Sequence, residues 1–190
     1  MQWRGTDAAV LGIPRGGVVV AAEVARVLEL PLGAAVVRKL GTPGHEEFAV
    51  GAIAEGVRIV DPKAVRQGGV TPAQLASVEE RERAELERRA RAFDPSPIDV
   101  AGKVVIVVDD GIATGSTAMA ACRAQRSRGA AEIVLAVPVA PAGWDAEASV
   151  VDRFVCPHLV ADFWAVGQFY DDFTQTKDEE VARLLARDLP

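Results

Sequence analysis

Apolar and polar positions divide the chain into four nearly continuous apolar runs, each closed by a turn signal: AAVLGIP (8–14), LGAAVVRK (32–39), KVVIVVDD (103–110) and EIVLAVPVA (132–140). A fifth, weaker run is RFVCPHLV (153–160). Strands covered on both faces need such continuity, whereas half-exposed strands alternate. Between the runs the apolar spacing becomes helical, over 17–29, 115–128, a short stretch near 142–149, and 178–187. Strand-type runs alternating with helix-type stretches predict an α/β fold: a parallel five-stranded sheet with helices on both faces. The last helix is predicted to open with a capping box, Thr176-Lys177-Asp178-Glu179. The sequence contains no internal repeat.

The stretch 40–100 breaks this rhythm, because about sixty residues between the second and third strands exceed what a crossover needs. Its first half, GTPGHEEFAVGAIAEGVRIVDP (41–62), is punctuated by glycine and predicts a loop and hairpin. Its second half opens with Thr71-Pro72-Ala73-Gln74, a capping box with proline at the first helical position, and continues as a charged helix to about Phe93. Glu79→Arg83, Glu85→Arg89 and Glu87→Arg91 place acid four residues before base, the favourable orientation on a solvated helix. Asp94-Pro95-Ser96-Pro97 is predicted to end it.

Composition narrows the class. With 190 residues, 49% hydrophobic and 25% charged, the chain fits one globular domain, 1–190, with a real core. No apolar run approaches the roughly 18 residues of a spanning helix, and MQWRGTD lacks the pattern of a secretory leader, so a soluble, cytoplasmic protein without a membrane partner is expected. A net charge of -6 leaves no broad positive field for nucleic acid, so an anionic ligand must be caught by local amides and a few cations. Cys122 and Cys156 stand far apart with no metal or disulfide spacing and read as core thiols.

The segment richest in chemistry is VVIVVDDGIATGST (104–117). A buried strand delivers Asp109 and Asp110 to its C-terminal end, the edge where open α/β sheets bind ligands. A small-residue loop then enters a helix. Free N–H groups of Ala113 to Thr117, the helix dipole and the hydroxyls of Thr114, Ser116 and Thr117 suit a phosphate, and Gly111 and Gly115 let the backbone close around it. A Walker A loop is excluded because Ser116, not lysine, follows Gly115, and no G-x-G-x-x-G follows the first strand. Two carboxylates for neighbouring hydroxyls beside a phosphate cradle describe recognition of a ribose 5-phosphate.

This run resembles the hallmark of the type I phosphoribosyltransferases: a hydrophobic stretch, two acidic residues, then a loop ending T-G-x-[ST]. The resemblance implies that Asp109 and Asp110 bind the ribose hydroxyls of 5-phosphoribosyl-1-diphosphate and Gly111, Ile112, Ala113, Thr114, Gly115, Ser116 and Thr117 its 5-phosphate. It further implies that Pro14-Arg15-Gly16-Gly17 is the pyrophosphate loop, in relatives often carrying a cis peptide; alone, these residues equally describe an ordinary strand-to-helix turn. Arg38 and Lys39, at the expected end of strand two, would lead into a flexible catalytic flap (about 40–100) that contains His45, Glu46 and Glu47. A C-terminal hood (about 160–176) would hold the acceptor through Phe163, Trp164 and Ala165, with Asp171 toward the pyrophosphate; core packing is the rival reading of these aromatics. Within the family the chain is most similar to bacterial members of unassigned acceptor.

The implied function is Mg²⁺-dependent transfer of the phosphoribosyl group to a nitrogenous base, with Asp109, Asp110, Arg38 and Lys39 catalytic, the metal held indirectly at Asp109 and Asp110, and a homodimer as the working form. The rival readings are a sensor of phosphoribosyl diphosphate or a nucleotide, and a hydrolase acting on the same ligand. Relatives usually carry a helix before the first strand, where this sequence has only a few residues, so part of the cover is expected to be missing. Purine enzymes place a lysine after the fourth strand; Val139-Ala140-Pro141 stands there, which speaks against hypoxanthine or guanine.

Overall fold

A computed structural model describes residues 2–93 and 97–186. Strands β1 (Ala9–Gly12), β2 (Leu32–Ala34), β6 (Val104–Val108), β7 (Glu132–Ala136) and β9 (Arg153–Val155) form a five-stranded sheet in the order β2-β1-β6-β7-β9, every pair parallel. The continuous hydrophobicity has the expected cause, because consecutive side chains of a strand point to opposite faces and both faces are covered. Val10, Ile106, Val108 and Val134 pack with Ala21, Ala25 and Leu28 of helix α1 (Gly16–Leu28). Their neighbours Leu11, Val105, Val107, Ile133 and Leu135 pack on the other face with Ala118, Ala121 and Cys122 of α4 (Ser116–Ser127).

Three runs are shorter than their hydrophobicity implied. Run 32–39 splits after β2, and Val37–Thr42 becomes β3 of a separate antiparallel sheet with β4 (His45–Ala54) and β5 (Val57–Val60). Arg38 and Lys39 therefore do not end a parallel strand. Polar Arg38 and Lys39 interrupt the apolar run between Val37 and Leu40, which are buried on opposite faces of β3, Val37 in the cluster of Leu11 and Val107 and Leu40 with Val78 and Leu86. His45, Glu46 and Glu47 consequently lie on β4 and not in an open loop. Run 132–140 splits into β7 and β8 (Val139–Pro141), and run 153–160 into β9 and β10 (His158–Val160); β8 and β10 pair in parallel as a small separate sheet.

The insertion continues through α2 (Pro62–Gln67) into the long helix α3 (Pro72–Phe93). The capping box at Thr71 is present, with Thr71 N–H donating to Gln74 Oε1 (2.9 Å) and Gln74 N–H to Thr71 Oγ1 (3.3 Å). All three acid-before-base pairs form, at 3.1 Å, 2.8 Å and 4.0 Å. The predicted stop at Asp94-Pro95-Ser96 lies outside the described residues. No helix forms near 142–149; after Pro141 the chain makes a turn closed by Trp144 N–H on the Pro141 carbonyl (2.9 Å), because Pro141, Gly143 and Asp145, whose carboxylate accepts from the Ala146 amide (2.9 Å), all favour turns. The last helix, α5 (Asp178–Leu185), starts after Lys177 without a side-chain cap, so Thr176 is not its cap; Asp178, Glu179 and Glu180 in the first turn complement the helix dipole instead. Among the described residues no helix is long and apolar enough to cross a membrane.

Candidate active site

The C-terminal ends of β1 and β6 lie side by side, joined where Ile13 N–H donates to the Val108 carbonyl (2.8 Å). From β1 the chain turns through Pro14 and Arg15, whose shared peptide bond is cis, into α1. From β6 it delivers Asp109 and Asp110. The approach of these two segments requires glycine: a Cβ at Gly16 would lie 2.0 Å from Asp110 Oδ2, and one at Gly17 would lie 2.8 Å from the Val108 carbonyl oxygen and 2.9 Å from Asp109 Cα. Gly16 and Gly17 thus act first as the space into which the acidic pair fits.

The loop after the acidic pair is pinned at Ile112, which is buried and whose N–H donates to the Val139 carbonyl (2.9 Å). Gly115 caps α4 with φ +81°, a left-handed conformation that suits glycine. A Cβ there would also meet Trp144, 2.5 Å from its Nε1. The first amide of α4 to find a helical acceptor is that of Met119, on the Gly115 carbonyl (2.8 Å). The earlier N–H groups have no partner within the helix. Thr114 Oγ1 and Ser116 Oγ are 3.4 Å apart, and Thr117 Oγ1 is buried with no partner among the described residues. An anion with several acceptor oxygens is the ligand such a set of donors can satisfy.

These elements enclose a cavity of about 340 Å³ lined by Arg15, Gly16, Lys39, Asp109, Asp110 and the loop from Gly111 to Gly115, with Thr117, Val166 and Phe173 closing it. A second cavity of about 410 Å³ shares Arg15, Gly16, Asp110 and Phe173, and extends along Val19, Val20 and the segment from Asp172 to Thr176. Burial, joined by the negative charge of Asp110, holds the Asp109 carboxyl well above the ordinary carboxylate range; Lys39 opposes the shift. Burial raises Asp110 as well, again against Lys39. Tyr170, the single tyrosine, donates its hydroxyl to the Asp110 carbonyl (2.6 Å) and is pushed up to about 12 by burial and by the two aspartates. The pair is therefore poised to accept hydroxyl hydrogen bonds or a cation, which relieve its mutual repulsion.

Eleven residues expected at the site line this cavity: Arg15, Gly16, Lys39, Asp109, Asp110, Gly111, Ile112, Ala113, Thr114, Gly115 and Thr117. Arg38 does not line it. The Arg38 guanidinium is clamped by Glu82 of α3, with Nη2 at 2.6 Å and Nε at 2.8 Å from Oε2, beside a neighbouring cavity that also holds Lys39, Arg81, Arg89 and Thr117. Phe163, Trp164, Ala165 and Asp171 line neither of the first two cavities; Trp164 is 90% exposed, and Val166 and Phe173 reach the site instead. The amides of Trp164 and Ala165 both donate to Gln168 Oε1, which turns this segment outward before Val166 points back to Gly111.

Two residues carry the site without having been singled out. Trp144 donates its indole N–H to the Thr114 carbonyl (3.3 Å), lies against Gly115 and tilts on Phe154 with ring centres 5.0 Å apart. Tyr170 supports the acidic pair from behind. Aromatic identity was the available signal for both, but the partner of each is 30 or 60 residues away.

The phosphoribosyl transferase domain family matches residues 2–174 of this chain. Two Mycobacterium tuberculosis proteins, from strains CDC 1551 / Oshkosh and H37Rv, provisionally named phosphoribosyl transferases, are each 47% identical over 190 residues, covering 98% of this chain. The chain spans 43% of their length. The crystal structure of TT1426 from Thermus thermophilus is similar with a TM-score of 0.71 at 39% identity, over 94% of this chain and 86% of that one.

Proposed function

The chain belongs to the phosphoribosyl transferase domain family, and from that premise we propose that it transfers the 5-phosphoribosyl group of phosphoribosyl diphosphate to a nitrogenous base and releases pyrophosphate. The observation that carries this reading is the single cavity in which a carboxylate pair, a loop of free amides at a helix start and the cations Arg15 and Lys39 face one another. A ribose bearing a phosphate at one end and a diphosphate at the other matches that order of groups.

In this reading the amides and hydroxyls from Ala113 to Thr117 hold the 5-phosphate, with Trp144 fixing the loop from outside. Asp109 and Asp110 accept from the ribose hydroxyls. As the bond from the anomeric carbon to the diphosphate oxygen breaks, positive charge grows on the ribose ring and negative charge on the leaving group. The carboxylates stabilise the first, as in glycoside transfer, and Arg15 and Lys39 the second. A nitrogen of the acceptor then forms the new bond with inversion, and its proton leaves to solvent or to pyrophosphate. The acceptor approaches from the side of Val166 and Phe173, with Phe163, Trp164, Ala165 and Asp171 as the outer hood.

Magnesium fits the donor set: two adjacent carboxylates whose charges oppose each other, without a third protein ligand in a cluster among the described residues. Asp109 and Asp110 would hold it indirectly, since Mg²⁺ keeps most of its ligands from water and substrate oxygens. When bound it neutralises the diphosphate. The proposed working form, carried over from the family resemblance, is a cytoplasmic homodimer.

The test is pyrophosphate release from phosphoribosyl diphosphate and Mg²⁺ with a panel of bases. Base-dependent release is expected, and is abolished in the double variant Asp109→Asn, Asp110→Asn. Release without any base would replace the reading with hydrolysis; binding without release would replace it with sensing.

A further inference from the structure

We propose that Asp178, the first residue of α5, is a positioning residue that sets the orientation of Arg15 toward the anionic ligand. The inference rests on the phosphoribosyl transfer reading above. Arg15 Nη1 is 3.3 Å from Asp178 Oδ1, a contact spanning 163 residues of sequence. Arg15 is the cation at the wall between the two cavities and lines both. Its side chain is only 22% exposed, so its orientation is set by neighbours rather than by solvent.

Asp178 is itself held from two sides. Its Oδ2 lies 3.5 Å from Arg88 Nη2 of α3, and Arg88 in turn grips Glu85 at 2.7 Å and 2.9 Å. Its place in the first turn of α5 favours a negative charge independently of Arg15. The helix is anchored apart from these ions by Val181, fully buried among Val18, Ala34 and Phe93. The carboxylate is therefore presented by a fixed element, and a guanidinium tethered at one nitrogen loses less freedom when it meets a diphosphate. The sequence predicts a helix cap in this segment; the structure pairs its first acid with Arg15 at the wall of the site.

The experiment titrates wild type and variants with inorganic pyrophosphate in Mg²⁺ and, separately, with ribose 5-phosphate, by calorimetry. Asp178→Asn is expected to weaken pyrophosphate five- to tenfold and leave ribose 5-phosphate within twofold; Asp178→Glu should recover most of the loss. In an Arg15→Gln background, Asp178→Asn should have no further effect, which a role confined to helix stability would not reproduce. Unaltered pyrophosphate affinity in Asp178→Asn, an equal loss in the Arg15→Gln background, or a matching loss for ribose 5-phosphate would each overturn the proposal. A wild type that binds neither ligand would overturn the phosphoribosyl reading and this inference with it.

Discussion

Gly16 and Gly17 are neighbours with the same surroundings in sequence, yet the structure predicts opposite outcomes for replacing each with alanine. Both lie at the start of α1, where alanine is the better helix former by about 0.5–1 kcal/mol. At Gly17 the new Cβ meets backbone, 2.8 Å from the Val108 carbonyl oxygen and 2.9 Å from Asp109 Cα, and neither can swing aside. Overpacking of this kind costs about 1–3 kcal/mol. Set against the helical gain, Gly17→Ala should lose up to about 2.5 kcal/mol, a fall in Tm of up to about 10 °C for a chain of this size. At Gly16 the obstacle is a side-chain carboxylate, Asp110 Oδ2 at 2.0 Å, which can rotate away. Stability should then hold or rise slightly, while the displaced carboxylate loses its ligand contact. A hydrogen bond to a charged group contributes about 1.5–3 kcal/mol, so ribose 5-phosphate affinity should drop about 10- to 150-fold. Thermal unfolding by circular dichroism and calorimetric titration read the two quantities separately. If both variants lose stability alike, or Gly16→Ala binds as tightly as wild type, the fitted-space argument is wrong.

Three further outcomes follow from the same geometry. Asp109→Asn should raise Tm at pH 7 while losing activity: a carboxyl held above its unfolded range stabilises the fold only when protonated, and that contribution disappears as pH rises through the folded value. The gain should vanish when both proteins are melted at acidic pH. Trp144→Phe keeps the ring but removes the donor to the Thr114 carbonyl; a neutral hydrogen bond contributes about 0.5–1.5 kcal/mol to the fold, so Tm should fall by about 1–6 °C, and ribose 5-phosphate should bind more weakly to the loosened loop. Asp152 accepts from the Ile133 amide (2.7 Å) and from Arg126 (2.5 Å), which hold its carboxyl below the ordinary range. Its contribution to stability is present above the unfolded carboxylate pKa and is lost as pH falls through the folded one, so Asp152→Asn should narrow its stability difference from wild type in acid melts.

What was legible in the sequence was what is contiguous. The strand, acidic pair and loop from Val104 to Thr117 form one uninterrupted unit, and their hydrophobicity, charge and small residues each report a local requirement. The same holds for Pro14 to Gly17 and for the cap at Thr71. Arg38 was misplaced because a parallel strand and an antiparallel one begin alike, and only the pairing of β3 with β4 distinguishes them. The clamp from Glu82 acts across 44 residues. The hood shifted for a related reason, since Gln168 folds its own segment so that Val166, not Trp164, turns inward. Long-range pairing chose between local alternatives that the sequence leaves nearly equal.

The cavity wall contains residues from Ile13 to Phe173. Its acidic pair needs Lys39, its loop needs Trp144 and Val166, and Arg15 needs Asp178. During synthesis, which releases the amino terminus first, the phosphate loop and the acidic pair emerge long before the segments that close around them. The cavity wall is thus complete only once the chain has been made through Phe173, and a copy cut before that point lacks the residues that close it.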